Sequence, residues 1–81
     1  MTTAAVISGR ISETLRREYA SYRYAEKLLA RKVNASPRAV RNWFSGVCSP
    51  RAAELVRLMA ESEELEREVG RLIRELREAR P

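Results

Sequence analysis

Residues 25–46 read AEKLLARKVNASPRAVRNWFSG and hold two short helical patterns separated by a turn of about three to four residues. The first pattern has an apolar stripe formed by Leu28, Leu29 and Val33. Small Ala30 permits close approach of a second helix, and Asn34 can adopt the left-handed conformation that a tight turn requires. The stretch therefore predicts two helices packed closely across a short turn.

The second helix has clear start and stop signals. Ser36 is a good N-cap, and Pro37 suits the first helical position because its missing N–H has no helical partner there. Gly46 supplies the stop. At about 100° per residue, Val40, Trp43 and Phe44 lie within one arc, which must pack inward. The residues around the opposite pole are Arg38, Arg41, Asn42 and Ser45.

The polar pole of this helix carries chemistry that suits base recognition. Arginine pairs bidentately with guanine and asparagine with adenine in the DNA major groove. By composition alone, an ordinary solvated helix face is the favoured explanation of Arg38, Arg41 and Asn42. The apolar stripe and tight turn that precede them favour contact with DNA. Other cations and hydroxyls are candidate phosphate contacts: Lys27, Arg31, Lys32, Ser36, Ser45 and Ser49.

The run resembles a known family at specific residues. Ala30, Asn34, Val40 and Trp43 match, without a gap, the small, turn and two apolar positions of the phage-repressor and Cro-like (XRE-type) helix-turn-helix. The stretch SPRAVRNWFSG, followed by SP, is similar to many small bacterial and phage regulators, and the similarity covers roughly residues 24–59. The resemblance implies a lambda-repressor-like, all-α fold and a source in a bacterium, a phage or a mobile element.

The residues that align with the base-reading positions of the family are Pro37, Arg38 and Asn42, and Arg41 lies beside them. The resemblance therefore implies that these residues contact bases. Pro37 has no side-chain hydrogen bond to offer, so its base pair would be recognised by apolar contact or shape. The resemblance also gives Arg51 a phosphate-positioning role. The chain departs from the family at Glu26, where such repressors often carry glutamine. Because a carboxylate repels phosphate, the glutamine-mediated phosphate contact of the family is not expected here.

Composition excludes several function classes. The chain has 81 residues, one cysteine (Cys48) and no histidine, so it predicts one domain without an intrachain disulfide or a usual zinc site. Cys48 is better interpreted as a small loop residue than as a redox-active thiol. No phosphate-binding loop, nucleophile–base pair or membrane-length apolar run occurs. We expect no enzyme, metal, cofactor or small-molecule ligand, and a location in the bacterial cytoplasm.

Charge is divided unevenly along the chain. Residues 1–60 hold eleven Lys and Arg against four Glu, a net charge of +7, whereas residues 61–81 hold five Arg against seven Glu, a net charge of −2. The basic part contains the two-helix run. Such a surface attracts polyphosphate with an affinity that falls as salt rises.

The rest of the chain predicts an all-α bundle of four to five helices. Residues 1–7 are expected to form a flexible arm, and residues 8–61 a helix-turn-helix DNA-binding domain that starts with a helix from about Ser8 to Tyr19. Tyr24 is expected in the core, although its hydroxyl could equally face the DNA backbone. Ser49 and Pro50 predict the start of a fourth helix, which would turn Leu55, Leu58 and Met59 inward.

Residues 62–81 predict a C-terminal helix with a wide apolar stripe. A long, simple two-stranded zipper is disfavoured, because Glu61 would face the like charge of Glu66 on the second helix and Gly70 would weaken the helix. We therefore expect a break near Ser62 and a fifth helix. That helix could pack on its own domain or on a second copy, and dimerisation is the favoured alternative. The expected interface residues are Leu65, Val69, Leu72, Ile73 and Leu76.

These patterns together predict a homodimeric, sequence-specific regulator of transcription. The helix at residues 36–45 would enter the major groove of double-stranded DNA, and two copies would bind an inverted-repeat operator. A protein-interaction adaptor, antitoxin-like or anti-activator, that uses the apolar C-terminal helix is the alternative. RNA binding is disfavoured because the few aromatic residues look buried and offer no stacking platform.

Overall fold

The protein is all-helical. The computed structural model describes residues 3–80, and these contain five helices and no strand. The helices are α1 (Ala4–Tyr19), α2 (Ala25–Val33), α3 (Pro37–Ser45), α4 (Ala52–Glu61) and α5 (Glu63–Glu78). Within the described part of the chain, no helix is both long enough and apolar enough to cross a membrane.

Helix α1 begins four residues earlier than the sequence predicted. Its N-cap is Thr3, whose hydroxyl accepts a hydrogen bond of 3.2 Å from the N–H of Val6. Ile7 packs against the core, so the first turn is held by both a cap and an apolar contact. Of the predicted flexible arm, residues 4–7 are therefore helical, and residues 1 and 2 lie outside the described residues.

One apolar core receives side chains from all five helices. Its buried members are Ile11, Leu15, Tyr19, Leu29, Ala30, Val33, Val40, Trp43, Leu58 and Leu65. Trp43, the largest of them, is only 2% exposed, whereas its neighbour Phe44 is half-buried at the edge. The inward arc predicted for α3 is confirmed at Val40 and Trp43.

Helix α4 begins at Ala52, later than the Ser49–Pro50 signal predicted. Its N-cap is Arg51, whose backbone N–H donates to Oε1 of Glu54 at 2.9 Å. The Ser49 hydroxyl is instead hydrogen-bonded to the hydroxyl of Ser8 on α1. Ser49 thus ties the loop to α1 and caps no helix. The expected inward positions hold, since Leu58 is buried and Leu55 and Met59 pack partly buried against the core.

The predicted break at Ser62 is confirmed. Ser62 has extended backbone angles (φ −134°, ψ 105°) and ends α4 while capping α5. Its buried hydroxyl accepts from the N–H of Leu65 at 3.0 Å and donates to Oε1 of Glu18 on α1 at 2.8 Å. One side chain therefore starts α5 and fixes it to α1.

An ion-pair cluster holds α5 against α1. Arg10 contacts Glu68 at 2.6 Å and Glu75 at 2.7 Å, and Arg71 contacts Glu68 at 2.6 Å. Burial alone would raise the pKa of Glu68, but the hydrogen bonds from Arg10 and Arg71 outweigh it, so the pKa lies below its ordinary value. The hydrogen bond from Arg10 likewise lowers the pKa of Glu75, and both carboxylates raise the pKa of Arg10.

The wide apolar stripe of α5 is divided between two environments. Leu65 and Leu72 are buried within the single chain, and Val69 packs partly buried against the core. Ile73 and Leu76 remain 42% and 40% exposed. Of the five residues expected at a dimer interface, Leu65 and Leu72 are therefore covered by their own domain, because α5 folds back on α1.

The ion-pair cluster predicts a defined pH dependence of stability. Because the folded-state pKa of Glu68 lies below the unfolded value of about 4.5, its stabilisation is complete above that value and is lost as pH falls through the folded pKa. We expect Glu68→Gln to lower the free energy of unfolding at pH 7. The difference in free energy of unfolding between this variant and wild type should shrink as pH falls towards 3. Urea denaturation at a series of pH values measures both.

Glu66→Gln is the matched control, because Glu66 lies on the same helix, is exposed and has no ion pair within residues 3–80. Its stability should follow the wild-type pH profile. A Glu68→Gln profile parallel to wild type from pH 7 to pH 3 would contradict the role given to the cluster.

Candidate nucleic-acid interface

The turn between α2 and α3 has the predicted geometry. Asn34 adopts the left-handed conformation (φ 57°, ψ 51°), and its N–H donates to the carbonyl of Ala30. The N–H of Ala35 donates to the same carbonyl at 2.9 Å. Ser36 then caps α3 by accepting a hydrogen bond of 3.0 Å from the N–H of Ala39. Buried Ala30 lets the two helices pack closely, as the sequence predicted.

The C-terminal end of α3 is fixed by α1. Gly46 takes a left-handed conformation (φ 79°) and returns its N–H to the last turn of the helix. The Ser12 hydroxyl donates to the carbonyl of Trp43 at 2.6 Å, and the guanidinium of Arg16 donates to the carbonyl of Phe44. These bonds bring donors from α1 to the carbonyls of the last turn, and they set the rotation of α3 about its own axis.

The opposite side of α3, formed by Arg38, Arg41, Asn42 and Ser45, is its outward face. Arg38 and Arg41 are exposed and Asn42 is half-exposed. The side chains of Arg38 and Asn42 have no hydrogen bond or ion pair to another residue in 3–80. Pro37 occupies the exposed first position of the helix. The outward face therefore presents one guanidinium and one amide with unused hydrogen-bonding capacity.

Arg41 differs from its neighbours because it is paired. Its Nε lies 3.2 Å from Oε1 of Glu26, in the first turn of α2. The pair is exposed, so it is weak and easily exchanged. The sequence points to both residues but does not predict the pair. The two residues are 15 positions apart, so their contact follows from the way α2 and α3 dock. Glu26 thus has a cation as its neighbour in the folded chain.

The predicted phosphate-contacting cations lie on the surface. Lys27, Arg31 and Arg51 are exposed, and none has an ion pair within the described residues. Lys27 and Arg31 are one turn apart on α2 and line a shallow depression of about 240 Å³. Lys32 differs, because its ammonium lies 3.4 Å from Glu61 on α4.

The predicted hydroxyl contacts are partly engaged inside the chain. Ser36 accepts a hydrogen bond as a cap, so its own proton stays free to be donated to a phosphate oxygen. Ser45 donates its proton to the carbonyl of Asn42 at 3.2 Å. Ser49 shares a hydrogen bond with Ser8. Ser36 is therefore the best placed of the three for a phosphate.

The prediction that Tyr24 lies in the core is wrong. Tyr24 has a left-handed backbone (φ 59°, ψ 38°) just before α2, and its side chain is 68% exposed. Tyr22 is 52% exposed, whereas Tyr19 takes the core position. The guanidinium carbon of Arg23 lies 5.6 Å from the centre of the Tyr24 ring, and the ammonium of Lys27 lies 6.0 Å from it. Both rings are thus open to solvent, and that of Tyr24 lies beside two cations, so the expectation that the aromatic residues are buried is wrong for Tyr22 and Tyr24.

Comparison with known proteins adds no relative. No protein-family model, curated protein or solved structure matches this chain.

The turn geometry predicts opposite effects for two substitutions of Asn34. Alanine is strained in the left-handed conformation, so Asn34→Ala should lower the free energy of unfolding by about 1 kcal/mol. Glycine adopts that conformation without strain, so Asn34→Gly should be at least as stable as wild type. Urea denaturation followed by circular dichroism compares the three proteins. Equal stability of the alanine and glycine variants would show that the turn differs from the one described.

Proposed function

We propose that this protein is a sequence-specific regulator of transcription that binds double-stranded DNA through a helix-turn-helix of the lambda-repressor-like type. In this proposal α3 enters the major groove, and α2 lies across the DNA backbone. The observation that carries the proposal is the outward face of α3. On that face, Arg38 and Asn42 have no side-chain partner among residues 3–80, and the rotation of the helix is fixed by buried Trp43.

Each residue of the outward face has a distinct role in the proposal. Arg38 can pair with guanine and Asn42 with adenine, and each good pair contributes about 1–3 kcal/mol of discrimination. Arg41 must exchange Glu26 for DNA, which costs little because the ion pair is exposed. Pro37 contributes through shape. Lys27, Arg31 and Arg51 hold the backbone without selecting sequence.

The distribution of charge supports approach to DNA from this side. Carboxylates on α5 are paired with arginines on α1 and on α5 itself, as in the contacts of Glu64 and Glu68. The candidate cations on α2, on α3 and at the start of α4 have no such partners within residues 3–80, apart from Arg41 and Lys32. Positive charge therefore concentrates away from α5, where it favours association with polyphosphate.

We further propose that the regulator acts as a homodimer in the cytoplasm of a bacterium. Ile73 and Leu76 expose apolar surface on α5, next to partly buried Val69. A second copy that covers these residues would give two recognition helices related by a twofold axis. Such a dimer binds an inverted repeat whose half-sites lie about 34 Å apart or a multiple of that distance.

The proposed base contacts predict different losses from different variants. Arg38→Ala and Asn42→Ala should each reduce the preference for cognate over random duplex DNA by about 5- to 100-fold. Lys27→Ala should weaken binding to both DNAs alike and reduce the slope of affinity against salt. Binding isotherms on the two DNAs at several salt concentrations measure both effects.

Arg77→Ala is the matched control, because Arg77 is exposed in the last turn of α5. It removes one positive charge away from α3 and should leave the cognate preference unchanged. Equal losses on cognate and random DNA for all three interface variants would refute the assignment of the outward face.

The proposed dimer predicts a concentration-dependent mass. Sedimentation at micromolar concentrations should show a dimer for wild type and a monomer for Ile73→Asp, which places a charge on the exposed apolar surface of α5. Val47→Asp makes the same kind of change on an exposed loop residue and should leave the dimer intact. A wild-type monomer that Ile73→Asp does not alter would contradict this part of the proposal.

A further inference from the structure

A groove of about 570 Å³ lies beside the start of α2. It is formed by the end of α1, the connection to α2, the first turn of α2 and the end of α3. The residues that give it its chemistry are Arg16, Tyr19, Tyr22, Tyr24, Lys27 and Phe44. We call it the tyrosine groove. Its volume lies within the range of small-molecule sites.

The groove is strongly aromatic. The chain has five aromatic residues, and all but Trp43 line this one feature. The rings of Tyr19 and Tyr22 meet edge to face, with centroids 5.5 Å apart and planes at 64°. Tyr22 and Tyr24 keep more than half of their surface open to solvent. The fold therefore leaves apolar, planar surface uncovered at one place where a flat molecule could stack.

The backbone of Tyr24, whose side chain lines the groove, has a strained conformation. Tyr24 and Asn34 are the two non-glycine residues in 3–80 with positive φ. Asparagine tolerates that conformation, but a bulky aromatic residue rarely adopts it. The Tyr24 hydroxyl makes no hydrogen bond within the described residues that would offset the strain. Strain of this kind at an exposed side chain is typical of ligand-binding positions.

The charge of the groove is positive. The cations of Arg16 and Lys27 line it, and the guanidinium of Arg23 lies near the Tyr24 ring. Glu26 is the one carboxylate among the lining residues, and its Oε1 lies 3.2 Å from Nε of Arg41. Arg16 is fixed in place by its bond to the carbonyl of Phe44. An occupant with a flat ring and a negative charge complements both features.

We propose that the tyrosine groove binds a small, planar aromatic carboxylate. The ring of the ligand lies against the exposed tyrosines, and its carboxylate lies near Arg16 and Lys27. This site revises the expectation of a chain without a small-molecule ligand. It does not depend on DNA binding, because it is a property of the free protein.

The test is a titration of the full, isotope-labelled chain with 2-naphthoate, followed by amide NMR shifts. We expect saturable shifts confined to residues 16–27 and to the end of α3. The neutral analogue 2-naphthalenemethanol and the non-aromatic anion cyclohexanecarboxylate should each bind at least about fivefold more weakly, because each lacks one of the two matched features.

Two variants separate a binding role from a structural one. Tyr24→Asn relieves the backbone strain, so the protein should be at least as stable as wild type and yet bind 2-naphthoate about fivefold or more weakly. Lys27→Gln should weaken binding roughly two- to fivefold. Arg57→Gln removes an exposed cation outside the groove and should leave binding unchanged.

Several results would overturn the proposal. They are the absence of saturable shifts at millimolar 2-naphthoate, equally tight binding of the neutral alcohol, or full affinity in the stable Tyr24→Asn variant. A parallel titration with a ten-residue oligothymidine tests single-stranded nucleic acid as the alternative ligand. If it shifts the groove residues while 2-naphthoate does not, the groove is a stacking platform for single-stranded nucleic acid and the proposal fails.

Discussion

The burial of Trp43 is the interaction on which the rest of the structure depends. This side chain is the largest in the core and is almost completely enclosed, so α3 can dock in only one rotation. Ser12 reinforces that rotation by donating to the Trp43 carbonyl. Because a helix repeats about every 3.6 residues, fixing Trp43 and Val40 inward directs Arg38 and Asn42 outward. The proposed recognition face is thus a consequence of core packing.

Helix α5 completes the domain and separates its charges. Leu65 and Leu72 close the core, and Ser62 ties the start of the helix to α1. Arg10 then binds the carboxylates of Glu68 and Glu75. This docking pairs acidic side chains of α5 with arginines, whereas Lys27, Arg31 and Arg38 on α2 and α3 have no ion pair within residues 3–80. The proposed functions of the tail, as support for the domain and as dimer surface, therefore belong to different residues of one helix.

Local rules explain what the sequence predicted correctly. Ser36, Pro37 and Gly46 bound α3 because caps and stops depend on neighbouring backbone alone, and Asn34 follows the same logic. The break at Ser62 was visible as a polar residue in an apolar stripe. Together these signals located the five-helix fold and the outward face of α3. The early start of α1 was missed because Ile7, which lies four residues before Ile11 in the apolar stripe, was assigned with Thr3 to the flexible arm.

Contacts between helices explain what the sequence did not predict. The pairs Glu26–Arg41 and Ser8–Ser49 each join residues far apart in the chain, so they follow from docking geometry and from no local pattern. Tyr24 was expected in the core because aromatic residues are usually buried, but a left-handed turn directs it outward. The tyrosine groove was therefore invisible in the sequence, as was the division of the α5 stripe.

Selection of binding sites from random duplex DNA is the sharpest test of sequence-specific binding by α3, because the protein itself chooses the sequence it binds. We expect enrichment of one short sequence present as an inverted repeat, with half-sites about one helical turn or a multiple of it apart. We also expect that the enrichment is lost in Arg38→Ala. Binding that depends on salt but enriches no sequence would contradict the account, because Arg38, Arg41 and Asn42 would then be an ordinary solvated helix face.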